Sequence, residues 1–281
     1  MERAHRSGID SPANPRIRAA LELRERRERD ATGMTLVDGA REALRAIDAG
    51  IEVETAFVCV PLLTSQEGRQ VVAGLGRARG RRELLEVSER AFERLAYGDR
   101  SDGVVLVVRS PGASLDDLDL PADPLVVVTE DVEKPGNVGA ILRSADAVGA
   151  SAVIAAGGTD LFNPNVIRAS VGTVFSMAVA SAPAADVATW LRERGVRPVA
   201  SRVDAERLHV EADLRGPVAL VLGSEAEGLS DAWRGPDVEA VRLPMRGAAD
   251  SLNVSVAAAV LLYEAWRQRH TGVAGARPQS G

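Results

Sequence analysis

Leu243–Arg269 reads LPMRGAADSLNVSVAAAVLLYEAWRQR, and the reading of this stretch decides the fold. The residues VEAVRLPM form a strand that runs out at Pro244-Met245. A loop of small residues follows. Apolar residues then recur without a strand's alternation, which predicts a long helix starting near Ser251. Asp250 is placed to cap it. The helix is apolar nearly all round, as expected of one covered on more than one side. One capping group is enough for a helix, so the polar pair Ser251 and Asn253, set around Leu252, needs a further reason.

Upstream, continuous Val, Leu and Ala runs alternate with helical stretches. PLVVVTEDV, SAVIAAGG, VFSMAVAS, RPVASRV and GPVALVLGSE read as strands, and GNVGAILRSADAVGA, NPNVIRASVG and AADVATWLRERG as helices. Such runs, lacking a polar face, predict a parallel sheet covered on both sides. Ligands of such sheets lie in the loops at the strands' carboxyl ends. Three of those loops combine glycine with polar side chains. In EDVEKPGNVGAILR, Gly136 and Asn137 precede a helix that carries Arg143. The G-x-G-x-x-G and P-loop fingerprints are absent, and a capped helix with a surface arginine explains this loop as well as an anion cradle does. In VLGSEAEGLS, Gly223 ends a strand and Ser224-Glu225 follow, as a helix cap or as site residues. The third loop is the opening stretch.

The front half is a smaller alternating unit. Pro15 to about Asp30 reads as a helix, followed by the strand MTLVDG, the helix AREALRAIDAG and the strand VETAFVCVP. A weaker helix, a strand–helix pair in RELLEVSERAFERLAY and the strand GVVLVVR complete it. The expected division is a loose tail over 1–13, a first domain over 14–110, a linker over 111–123, a second domain over 124–271 and a tail over 272–281.

Composition narrows the function. The net charge is −6, with 19 basic against 18 acidic residues in 1–110 and 15 against 22 in 111–281. The front half is therefore the better candidate for meeting phosphate, above all RIRAALELRERRER, with six arginines against three glutamates. Glu–Arg pairs three or four apart on a solvated helix account for that run equally well. Only Lys134 is lysine among 34 basic residues; such a bias reflects base composition, so arginine number alone says little about RNA. The single cysteine, Cys59, excludes an internal disulfide and offers no metal cluster. No stretch is long enough to span a membrane, and MERAHRSGID lacks the apolar core of a signal peptide, so a cytoplasmic chain is expected.

Taken together, the three loops resemble the motifs of the SPOUT superfamily, specifically its SpoU/TrmH class of RNA ribose 2′-O-methyltransferases. They read Asn137-Val138-Gly139-Ala140-Ile141-Leu142-Arg143, Gly223-Ser224-Glu225-Ala226-Glu227-Gly228, and Leu243-Pro244-Met245 with Ser251-Leu252-Asn253. The likeness extends forward to about residue 14. It is nearest the rRNA-directed resistance enzymes of the avilamycin and thiostrepton type. One departure is Asp38, where the class has Glu before Gly-x-Arg, here Gly39-Ala40-Arg41.

The resemblance implies a parallel-sheet domain with a deep C-terminal trefoil knot, preceded by a ribosomal-protein-like α/β substrate-binding domain. It implies S-adenosylmethionine held by Leu222, Gly223, Leu243, Met245, Ser251, Leu252 and Asn253. The implied catalytic set is Arg143, Asn137, Glu225, Ser251 and Asn253, and no metal is required. RNA contacts are expected from Arg143, Arg168, Arg27, Arg29 and Arg41, and the enzyme is expected to be a homodimer. The histidines at 5, 209 and 270 lie outside every motif, so an imidazole base is not expected. A guanidinium is very hard to deprotonate, which favours Arg143 as a fork gripping phosphate and stabilising an alkoxide. The expected substrate is 23S rRNA. A tRNA substrate, or a binding protein that has lost catalysis, are the alternatives.

Overall fold

The computed structural model describes residues 8–76, 83–97, 102–112, 114–224 and 227–271. Among them no helix is long and apolar enough to cross a membrane. The chain forms two compact units, but the cut between them is not linear. Met1–Gly112 is joined by Asp160–Met177 in the first unit, while Ala113–Thr159 and Ala178–Gly281 make the second.

In the first unit β1 (Gly8–Ile9), β2 (Met34–Asp38), β3 (Val53–Val58), β4 (Glu83–Val87) and β5 (Val104–Arg109) form one sheet in the order β1-β4-β3-β5-β2. The first three neighbours run parallel, and β5 is antiparallel to both β3 and β2. The expected loose tail is thus corrected over its last residues: Gly8 and Ile9 pair with β4, and Ile9 is buried. The single helix expected from Pro15 to Asp30 is two, α1 (Pro15–Glu22) and α2 (Arg26–Thr32). The break is stabilised by Arg29, whose buried guanidinium donates to the carbonyls of Leu23 (2.8 Å) and Arg24 (2.7 Å) and pairs with Asp160. Helices α3 (Ala40–Asp48), α4 (Gln66–Leu75) and α5 (Glu89–Leu95) complete this part of the unit.

Asp160–Met177 contains α7 (Pro164–Ala169), capped by Asn163, whose side chain accepts from Asn165 N at 2.8 Å. The segment is fixed to the first unit by polar contacts. Thr35 Oγ1 donates to the Phe162 carbonyl at 2.7 Å, and Arg45 donates to the Val171 carbonyl. Gly172 has φ +78°, and a Cβ there would lie 2.9 Å from Glu42 Cα.

The second unit carries the sheet read from the sequence. Strands β6 (Leu125–Glu130), β7 (Ala152–Ala156), β8 (Val179–Ala182), β9 (Arg197–Ser201), β10 (Val218–Leu222) and β11 (Glu239–Val241) are ordered β11-β9-β10-β6-β7-β8, every pair parallel. All residues of β6, β7 and β10 are buried, as their unbroken apolar runs require. β8 starts later than expected because Thr173–Phe175 coil into a 3-10 turn. Helices α6 (Pro135–Val148), α8 (Ala184–Glu193) and α9 (Val254–His270) cover the sheet. α6 opens on Pro135 and stops at Gly149 in the left-handed conformation. The core includes the fully buried Trp233 beside Trp190 and Leu191. Leu118, inside the expected linker, also belongs to this core.

Substituting Gly172→Ala should destabilise the protein by about 2 kcal/mol or more, because a left-handed φ and a backbone overlap add. Urea unfolding checks this. Unchanged stability would show that Asp160–Met177 is only loosely attached to the first unit.

Candidate active site

Parallel pairing levels four strand ends of the second unit. Thr129 is the register partner of Leu222, Leu222 of Ser201, and Ser201 of Val241. The loops that leave β6, β10, β9 and β11 therefore start along one edge of the sheet.

The loop after β10 is tightly closed. Ser224 and Gly228 form an antiparallel bridge, with Gly228 N donating to the Ser224 carbonyl at 3.1 Å. Ser224 Oγ accepts from Glu227 N at 3.1 Å. A Cβ on Gly223 would overlap the Gly228 carbonyl, so only glycine lets the loop double back here. Glu225, expected in the site, lies outside the described residues.

The loop after β11 leads to α9, and here one expectation is corrected. The cap is Asn253, not Asp250, and the helix starts at Val254. Asn253 Oδ1 accepts from Ser255 N at 3.0 Å and from Ser255 Oγ at 2.6 Å. Its Nδ2 donates to Asn137 Oδ1 at 3.1 Å. Asn253 is thus helix cap and cross-link at once, joining the first turn of α9 to the first turn of α6.

Beside this pair opens a cavity of about 610 Å³, a size suited to a small ligand. Leu222, Gly223, Leu243, Met245, Ser251 and Leu252 line it, together with Leu229, Val254 and Ala257. Asn253 lies between two of these lining residues. The cavity also takes in Ser201, Arg202 and Asp204 at the end of β9, which the motif reading missed. Their only signal in the sequence is position: they follow a strand whose end is level with Leu222. Arg202 grips Asp204 with two bonds, Nε to Oδ1 at 2.9 Å and an Nη to Oδ2 at 2.6 Å. That fork holds the Asp204 carboxyl below its ordinary range.

Arg143 is exposed on α6 and makes no ion pair among the described residues. Gly136, Gly139 and Ala140 precede it by seven, four and three positions, which puts small residues on its side of the helix. Its guanidinium is available to an incoming anion. No group of three His, Cys, Asp or Glu side chains among the described residues has metal-site geometry.

The other arginines expected to touch RNA fall in the first unit, and one of them, Arg29, is corrected. Arg29 is buried, and its two Nη atoms are held by two carbonyls and Asp160, so it serves the fold and cannot reach a phosphate. Arg168 donates to Asp38 Oδ2 at 3.0 Å and to the Tyr97 carbonyl, and its guanidinium lies 5.9 Å from the Tyr97 ring centre. Asp38 also accepts from Tyr97 N at 2.7 Å. Burial raises the Asp38 carboxyl above its ordinary range, against the opposing pull of the Tyr97 N–H and Arg168. The departure at Asp38 is therefore a structural junction braced by Arg168. Arg27 and Arg41 remain on the surface, the latter 3.7 Å from Glu67.

Replacing Asn253 by Ala should cost about 1 kcal/mol for the lost cap, and Asn253→Asp should retain the cap. If the cross-link matters, Asn253→Asp melts like the wild type but impairs the site as much as Asn253→Ala does. Thermal unfolding and activity measured side by side separate the two roles.

Comparison with known proteins adds to this geometry. Residues 124–263 match the model of the SpoU rRNA methylase family, and residues 14–106 match an MRM3-like substrate binding domain. A 23S rRNA (uridine(2479)-2′-O)-methyltransferase of Streptomyces viridochromogenes is 32% identical over 266 residues, covering 91% of this chain and 90% of the relative. Among solved structures, an RNA 2′-O ribose methyltransferase is 46% identical with a TM-score of 0.82, over 93% of this chain and 99% of its own. The SpoU methyltransferase AviRb from S. viridochromogenes, in complex with the cofactor AdoMet, is 32% identical with a TM-score of 0.81, over 91% and 98%.

Proposed function

Because the chain belongs to the SpoU rRNA methylase family, we propose that it is an S-adenosylmethionine-dependent RNA 2′-O-ribose methyltransferase acting on 23S rRNA. The observation that carries this reading is the Asn137–Asn253 hydrogen bond. It joins the first and third motifs at the rim of a cavity whose wall includes the second.

The cavity fits the cofactor. Leu222, Leu243, Met245 and Leu252 offer apolar surface for a flat purine, and Gly223 lets backbone come close where no side chain fits. When bound, S-adenosylmethionine supplies a methyl group already activated on a sulfonium. The protein's task is then to place a ribose 2′-oxygen in line with it and to help the hydroxyl lose its proton. Positioning supplies much of the acceleration in such displacements. Arg143 fits as the fork that holds the neighbouring phosphate and stabilises the developing alkoxide. Asn137, tied to Asn253, orients the ribose, and Ser251 completes the polar wall. Glu225 is assigned to the same site by its motif alone. RNA contacts outside the second unit are assigned to the exposed Arg27 and Arg41.

The reading extends to topology and assembly. Segment 242–253 joins β11, at one edge of the sheet, to a helix whose cap is bonded to Asn137 after β6, three strands away. Passage of this segment through the neighbouring loops makes the trefoil knot of the class. Val256, Val260, Tyr263 and Trp266 lie on α9 and are 38–54% exposed. At helical spacing they form an apolar stripe, which suits a homodimer built on this helix. A cytoplasmic enzyme fits an rRNA substrate. A role in antibiotic resistance follows only if the methylated nucleotide is a drug contact.

Incubation with labelled S-adenosylmethionine and unmodified 23S rRNA, 16S rRNA and tRNA tests the proposal. One ribose-methylated position in 23S rRNA is expected; label confined to tRNA would overturn the substrate, and cofactor binding without transfer to any RNA form, assembling subunits included, would favour the non-catalytic alternative. Arg143→Lys should lower turnover by roughly a hundredfold, the scale of a lost oxyanion donor. Near-normal turnover would sink the bidentate role.

A further inference from the structure

Among the described residues only two charged side chains are buried, Arg29 and Glu130. Arg29 has Asp160 as counter-charge. Glu130, the last residue of β6 and 3% exposed, has no cation within ion-pair distance among the described residues. A carboxylate taken out of water is costly unless its oxygens are bonded. Both are, and by one residue: Ser230 N donates to Oε2 at 2.8 Å, and Ser230 Oγ donates to Oε1 at 2.6 Å. The two residues are a hundred positions apart.

Ser230 stands at the far end of the closed loop that starts at Gly223. The near end of that loop is fixed by β10, beside β6. Between these ends, Gly223, Ser224, Glu227, Gly228 and Leu229 line the cavity, whereas Glu130 and Ser230 do not. Hydrophobic contacts at Leu229 help to seat the loop but do not fix its register. The two bonds to Glu130 do, because a carboxylate accepting from the N–H and O–H of one residue allows one position along the chain. Glu130 also begins the segment that leads to Asn137, so the same side chain ties the second motif to the root of the first.

We propose that Glu130 is a positioning residue for cofactor binding: through Ser230 it holds Gly228 and Leu229 where they line the cavity that receives S-adenosylmethionine. This rests on the methyltransferase reading above. Glu130 touches neither cofactor nor RNA and acts only through the loop.

Four full-length proteins test it: the wild type, Glu130→Gln, Ser230→Ala and Ser230→Thr. Glu130→Gln keeps the shape and removes the charge that strengthens both bonds. Ser230→Ala removes the hydroxyl, and Ser230→Thr restores it. Calorimetric titration with S-adenosylmethionine and S-adenosylhomocysteine should show roughly tenfold weaker binding for Glu130→Gln and Ser230→Ala, the scale of one lost bond to a charged group. Ser230→Thr should bind like the wild type. Hydrogen exchange should quicken at residues 227–230 and stay slow in β6 and β10. In methyl transfer the KM for the cofactor should rise while kcat at saturation is kept. Unchanged affinity in both weakened variants would overturn the proposal. So would an affinity loss accompanied by faster exchange throughout the second unit, which is the signature of general destabilisation. Failure of the wild type itself to bind S-adenosylmethionine would overturn the functional reading, and this inference with it.

Discussion

Parallel pairing is the constraint on which the second unit depends. Neighbouring strands running the same way must all end at the same edge, and the register here brings Thr129, Leu222, Ser201 and Val241 level. Segments more than a hundred residues apart in sequence are thereby delivered to one place before any side chain makes a specific contact. The sheet can do this only because β6 and β10 are buried on both faces. Their Val and Leu runs bring apolar area out of water at about 25 cal/mol per Å², enough to hold the edge rigid beneath loops rich in glycine.

On that edge α9 is held at its two ends by different chemistry. At its start the Asn253 cap is shared with Asn137. At its end Arg269 donates to the carbonyls of Leu214, Asp123, Pro124 and Gly216, which precede β10 and β6. Val254, Ala258, Leu261, Leu262 and Ala265 form the buried side between them. The first turn of the helix is where function needs accuracy, and it carries the polar cross-link. The last turn needs only anchorage, and Arg269 provides it together with Gln268, which accepts from Leu214 N and donates to the Ala212 carbonyl.

Much of this was legible in the sequence for physical reasons. Unbroken apolar runs identify β6, β7 and β10, because a strand covered on both faces has no polar side to show. Gly223 could be singled out because a strand end that needs glycine implies a close approach, found here at the Gly228 carbonyl. Asp250 and Asn253 are equally good caps by residue type, and which one serves depends on where the helix is fixed in space. Arg29 read as a surface cation because its partner lies 131 positions away. The same distance hid Arg168, whose acceptor Asp38 belongs to another part of the chain. Glu130 showed no local pattern at all; its meaning depends wholly on Ser230.

The excursion of Asp160–Met177 out of the second unit bears on how such a protein can be inherited. A gene fusion made at one junction near residue 112 would transfer the front unit without this segment. The transferred piece would keep a buried Arg29 stripped of Asp160, and a buried Thr35 stripped of its acceptor at Phe162. An unpaired buried guanidinium is among the costlier defects a small unit can carry. Recombination at a single point near residue 112 therefore yields neither unit whole.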